Sequence, residues 1–257
     1  MKSWIGLWKK ELRLMKPIFI SGLLLIALVL SLAIIVPLVR GTDPLQASAL
    51  LLGAGVLSQF AYIPVFFIIS FYRENRHLEL WLHTPQSIMK LLSAKIASAV
   101  LYGAVTLLVN GILFLTFFLF AAERQVIFPS VGELLTACLL GVLTILFFSL
   151  MIGMFVVLFY SLYLLIKPYV GNWPAVLIVF VLVGAGSWIY TEFSNSAVYE
   201  TLTAWGEVSV QFQTGVLAQI TAQAPYSFYA GTFVYGLFEA LLVLVIASFL
   251  LEKRVEV

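Results

Sequence analysis

The chain has 257 residues, of which 63% are hydrophobic and 10% charged, with a formal net charge of +2 and a mean hydropathy of +1.10. Ordinary soluble domains carry roughly 25% charged residues, and a domain of this size has too little interior to hide so much apolar surface. The composition excludes a soluble enzyme, a secreted domain and a disordered chain, and predicts an all-α integral membrane protein forming one transmembrane domain over residues 1–257.

The first 16 residues, MKSWIGLWKKELRLMK, carry five Lys or Arg. Wound as a helix at about 100° per residue, Trp4, Ile5, Leu7, Trp8, Leu12, Leu14 and Met15 share one face. Lys2, Lys9, Lys10, Arg13 and Lys16 lie opposite, and only Glu11 intrudes. Trp at an apolar edge with Lys beneath it predicts a helix lying in the membrane interface over 1–16; a solvated basic start to the first span is the plainer alternative. No A-x-A-like site closes the apolar stretch that follows, and several equally hydrophobic runs come later, so a cleaved signal peptide is not expected.

A bilayer core of about 30 Å needs about 20 apolar residues in a helix, and six stretches qualify. They are 18–39, 45–71, 92–121, 134–166, 175–191 and 227–251. The fourth is long for one crossing, which predicts a tilt, a bend near Gly153 or projection into water. Lys167-Pro168 and Asn172-Trp173-Pro174 are expected to break the chain before the fifth. Tyr62 and Pro64 are placed to bend the second.

Two connecting segments are more than links. Residues 72–91 keep Leu78, Leu80, Trp81 and Leu82 among charges and turn at Thr84-Pro85. Apolar residues ringed by charge indicate a docking partner, or else a fold back onto the membrane. Residues 192–226 mix aromatics and aliphatics with small polar groups and contain no Lys or Arg. That composition suits two short helices dipping into the outer leaflet, with Gly206 and Gly215 at their ends, or an ordered extracellular cap.

Summed over alternate loops, the side holding the N-terminus carries twelve Lys and Arg: Lys2, Lys9, Lys10, Arg13, Lys16, Arg73, Arg76, Lys90, Lys95, Lys167, Lys253 and Arg254. The other side has Arg40 and Arg124 alone, together with Asp43, Glu123, Glu133, Glu192, Glu200 and Glu207. The bias predicts both termini in the cytoplasm of a multi-pass protein.

Inside the spans, Glu239 stands near the middle of the sixth with no basic residue at comparable depth. A carboxylate there is a functional-site hypothesis by default. It lines a substrate path, or it stays protonated and bonds to Asn110 of the third span. Gln59 and Asn110 are the other strongly polar side chains at depth, with interhelical hydrogen bonding as their default role. Cys138 reads as a small buried hydrophobe. His77 and His83 sit together in the 72–91 segment without a metal-site pattern, and no His lies within a span. Asp43 is the only aspartate and falls in a loop, so an intramembrane protease is a poor fit, and no catalytic or metal-ligating set emerges.

The basic amphipathic start, six spans with both ends inside and the loop after span two together resemble permease subunits of the ABC-2 type, the membrane half of bacterial ATP-binding-cassette exporters. The loop reads Glu74, Leu80-x-Leu82, Pro85, then Lys90 and Lys95, similar to the family's glutamate, leucine pair, proline and downstream lysine. The long 192–226 segment is similar to the re-entrant outer helices of family members. The resemblance implies ATPase coupling through Glu74, Leu78, Leu80, Trp81, Leu82 and Pro85, helped by the interfacial helix with Trp4, Trp8, Lys9 and Lys10. It implies Glu239, Asn110 and Gln59 as substrate-pathway or interhelical residues. It further implies a separate ATPase subunit holding ATP and Mg, a second permease copy as a homodimer, and a location in the bacterial cell membrane. The chain itself has no phosphate-binding GxxxxGK[ST] loop, and no nucleic-acid partner is expected. The cargo expected is an amphipathic or hydrophobic substrate, with peptides favoured, as in the phenol-soluble-modulin exporters of that family. A non-transporting membrane sensor or regulatory tether is the alternative.

Overall fold

The computed structural model describes residues 2–40, 44–75, 87–122, 131–210 and 226–255. The elements are α1 (Lys2–Arg40), α2 (Pro44–Ser58), a 3₁₀ turn (Gln59–Ala61), α3 (Tyr62–Asn75), α4 (Ile88–Ala122), α5 (Val131–Val170), α6 (Asn172–Ser194), α7 (Ala197–Thr203), β1 (Glu207–Val210), β2 (Tyr226–Tyr229) and α8 (Ala230–Val255). Among the described residues, six helical segments are long and apolar enough to cross a membrane: Trp4–Val36, Leu51–Glu74, Ile88–Thr116, Leu135–Val170, Asn172–Ser194 and Ala230–Lys253. The protein is a multi-pass, helical, membrane-type chain.

Several boundaries differ from the sequence-based expectation. The amphipathic start is not a separate helix: α1 runs unbroken through Pro17 for 39 residues, about 58 Å at about 1.5 Å per residue. The fourth span likewise continues through Gly153 and past Pro168, and the break falls at Gly171, whose φ of 84° suits glycine. Pro168 sits in the last turn of α5, where little helix remains to disrupt. Pro174 sits in the first turn of α6, where its missing N–H would have had no intrahelical partner. The 192–226 segment does not hold two dipping helices in its described part. It holds one short helix, α7, capped at Ser196 by a bond from Tyr199 N, and a two-stranded sheet of β1 and β2. Gly206 turns the chain into β1 with φ 67°, and Gly215 lies outside the described residues.

The second span is interrupted. Pro64 has no N–H and its ring conflicts with a carbonyl one turn back, and the helix tightens there into the 3₁₀ turn, with Tyr62 N bonding Gln59 O. Just past that turn, Ile63 N–H donates to Ser149 Oγ of α5 at 3.3 Å. Ser149 is buried. Ser149→Ala removes this buried interhelical acceptor, and a melting curve of the purified protein should report a loss of about 0.5–1.5 kcal/mol; an unchanged melting temperature would remove the serine from this account.

By packing, the chain forms two units, residues 1–66, 95–150 and 210–226, and residues 67–94, 151–209 and 227–257. In the first unit Met15 and Ile26 of α1, Leu52 of α2, Ile63 and Phe66 of α3 and Leu107 of α4 are buried, and α1 packs along α2. In the second, Ala240, Val243, Leu244, Ala247 and Leu251 make the buried stripe of α8, while Leu241, Val245 and Phe249 are exposed. Helices apolar on every side are at home in lipid, not in water. α6 is the extreme case, with Phe180, Val181 and Trp188 about two-thirds exposed or more.

Candidate functional site

In the first unit, glycines set how closely α4 approaches the second span. A Cβ on Gly55 would lie 2.9 Å from Asn110 Nδ2, and one on Gly103 would lie 3.3 Å from Ile63 Cγ1. The paired positions run in opposite directions, 55 with 110 and 63 with 103, so the two segments are antiparallel. Small residues at such crossings let backbones close up and let polar side chains meet. Thr106 Oγ1 lies 3.2 Å from Gln59 Oε1 and 3.0 Å from the carbonyls of Tyr102 and Gly103. Gln59 is thereby held in an interhelical hydrogen bond at the 3₁₀ turn.

These polar groups border a cavity of about 440 Å³. Ile18, Gly22, Ile26 and Val29 of α1 form one wall; Leu51, Leu52 and Gly55 of α2, then Gln59, Tyr62 and Phe66, form another. Thr106 and Asn110 of α4 close it. No charged residue lines it. Asn110 is 1% exposed, and its Nδ2 has no hydrogen-bond partner. The arrangement is an apolar chamber with a few polar groups converging on one side, the ordinary form of a small-ligand site.

Below it in the chain order, α1 is fastened to the start of α4. Lys95 Nζ lies 2.9 Å from Glu11 Oε2, with the side chains 0% and 4% exposed. Tyr102 Oη donates to Leu12 O at 2.8 Å, and Phe19 stacks on Tyr102 with centroids 4.5 Å apart. The pairings advance together along both helices, so α1 and α4 run parallel. Sequence reasoning missed this ion pair, taking Glu11 as an intrusion and Lys95 as one more loop charge. The signal was present: Glu11 falls in the middle of the apolar face between Trp8 and Met15, a place where a charge needs a partner.

The other residues singled out from the sequence are scattered. Trp4 and Trp8 stack at 6.0 Å and 14°, and Lys9 and Lys10 are exposed on α1. Glu74 is half-buried near the end of α3, whereas Leu78, Leu80, Trp81, Leu82 and Pro85 lie outside the described residues. In the second unit Glu239 of α8 accepts a hydrogen bond from Tyr190 Oη of α6 at 3.4 Å. Tyr235 lies one turn before Glu239 and meets Tyr199 edge-on at 5.3 Å, with Phe193 6.4 Å away. The Tyr190 hydroxyl thus gives Glu239 a hydrogen-bond donor that is not a basic residue. No group of three or more His, Cys, Asp or Glu suited to a metal occurs among the described residues, and Cys138 is half-buried.

No protein-family model, no curated protein and no solved structure matches this chain.

Proposed function

We propose that the protein is the membrane-spanning permease subunit of an ATP-binding-cassette exporter of the ABC-2 type, working in a bacterial cell membrane with both termini in the cytoplasm. Its cargo is an amphipathic or hydrophobic molecule, with peptides favoured. Energy comes from ATP and Mg held on a separate ATPase subunit, and two permease copies form the working pair. The observation that carries this reading is the Glu11–Lys95 pair. It bolts the basic amphipathic start of α1 to α4 at Lys95, just after the 72–91 segment where the ATPase is proposed to dock. A push delivered at that stretch then reaches α1 and α4 as one rigid pair, which is how a rocking transporter is driven. The exposed Lys9, Lys10 and Arg13 on the same part of α1 suit the anionic cytoplasmic membrane surface.

The test is co-expression and co-purification with an ATP-binding-cassette ATPase subunit from the same genome, followed by hydrolysis assays with and without amphipathic peptides. Peptide should stimulate hydrolysis, and Trp81→Ala should abolish the stimulation while membrane insertion and complex formation persist. A complex with no response to any peptide, lipid or drug favours the alternative, a sensor or tether. Failure to form a complex sinks the permease reading.

A further inference from the structure

We infer that the chamber between α1, α2, α3 and α4 is a binding site for an uncharged aliphatic molecule bearing a carbonyl oxygen, such as a neutral fatty-acyl ester, held by a hydrogen bond from Asn110. This goes beyond the proposed permease function and stands whether or not the chain serves an ATPase.

Three observations select the ligand. The chamber measures about 440 Å³, inside the range of roughly 300–1,000 Å³ found for small-molecule sites. A helical peptide about 10–12 Å across would fill it with about one turn, so it suits a single chain or a compact molecule. Its lining is uncharged, which disfavours a carboxylate, phosphate or ammonium group that would be buried without a counter-charge. Finally, Asn110 Nδ2 is a buried donor lacking an acceptor. An unsatisfied buried donor carries a desolvation penalty that a ligand acceptor removes. The neighbouring acceptor, Gln59 Oε1, is already engaged by Thr106. Tyr62 Oη, on the same lining, is also buried without a partner; it and Asn110 Nδ2 can both donate, so the site asks for an acceptor, and a carbonyl on an apolar body supplies it.

The experiment measures equilibrium binding of tritiated 1-monooleoylglycerol to the full-length protein in lipid nanodiscs. Its oleyl ether analogue, which lacks the carbonyl, is the control. The wild type should bind the ester saturably and about tenfold more tightly than the ether. Asn110→Leu should bring ester affinity down to that of the ether without lowering the melting temperature, because it removes an unpaired polar group from an apolar site. Gly22→Leu should abolish binding of both by filling the chamber; a Cβ there meets only Tyr62 Cε2 at an ordinary 3.7 Å. Extracting freshly purified protein separates the sources. A retained stoichiometric acyl ester identifies a membrane lipid, while an empty site that takes up added ester identifies a free amphiphile; both support the inference. Equal wild-type affinity for ester and ether overturns it, and so does the absence of saturable binding. The wild-type ratio and Gly22→Leu keep the test decisive if Asn110→Leu fails to fold.

Discussion

Glu11→Gln is expected to lower the stability of the purified protein by about 3–5 kcal/mol, because it takes away the carboxylate charge that lies 2.9 Å from the fully buried Lys95 ammonium. Lys95→Met, which leaves the Glu11 carboxylate without its partner, should cost about as much. The double replacement Glu11→Leu with Lys95→Met should recover most of that loss. Two buried charges each forfeit their hydration, and their mutual attraction returns only part of it, so a well-packed apolar pair is about as stable. Thermal melts of the three variants in one detergent test this directly. If the single changes melt like the wild type, the pair is reached by water and the packing of α1 on α4 is looser than described. The double variant also separates stability from function. With the fold restored, a pair that matters for coupling should leave ATPase binding intact and weaken substrate-stimulated hydrolysis. Unchanged stimulation would confine the pair to setting the register between α1 and α4.

Gly231→Ala should be the second severe change, and its cause is steric. The first donors of α8 have no partners within the helix, and the turn after α7 supplies them: Ala230 N bonds Gly206 O and Gly231 N bonds Trp205 O, both at 3.1 Å. That arrangement lays the turn against the helix start so closely that a Cβ at residue 231 would overlap the Thr203 carbonyl oxygen and lie 2.7 Å from Trp205 Nε1. Trp205 is itself pinned by its bond to Leu202 O at 2.8 Å, so neither neighbour can step aside by a rotamer change. Overpacking of this kind costs about 1–3 kcal/mol when side chains yield, and the upper end or beyond is expected where backbone must move. A melting curve gives the loss, and amide exchange should show it concentrated in α7 and the first turns of α8. Wild-type melting and exchange would mean that the turn lies farther from α8.

The membrane character and all six spans were legible in the sequence, because a bilayer demands long runs of apolar residues and little else has that composition. Helix ends were read less well. Pro168 and Pro174 looked like breaks, yet Pro174 sits in a first turn where a missing N–H matters little and Pro168 in a last turn with little helix left to disrupt, while Gly171 takes the backbone angle that ends the helix. Pro17 likewise failed to separate an interfacial helix from the first span. The aromatic, small-residue mixture of 192–226 suggested helices, but part of it pairs as strands, since β pairing depends on a distant segment that local composition does not reveal.

By itself, then, the sequence determined the solvent this protein lives in, the number of its membrane helices and the polar residues that must be accounted for within them. Only the tertiary structure decided which of those residues meet. Glu11 found Lys95, Gln59 found Thr106, and Glu239 found Tyr190, each across dozens of residues. Asn110 and Tyr62 were left with buried donors lacking partners on the lining of a chamber. The reason is physical: hydropathy is a property of each segment and can be read locally, whereas the pairing of buried polar groups depends on how helices cross, which glycines 55 and 103 set by letting two backbones come close.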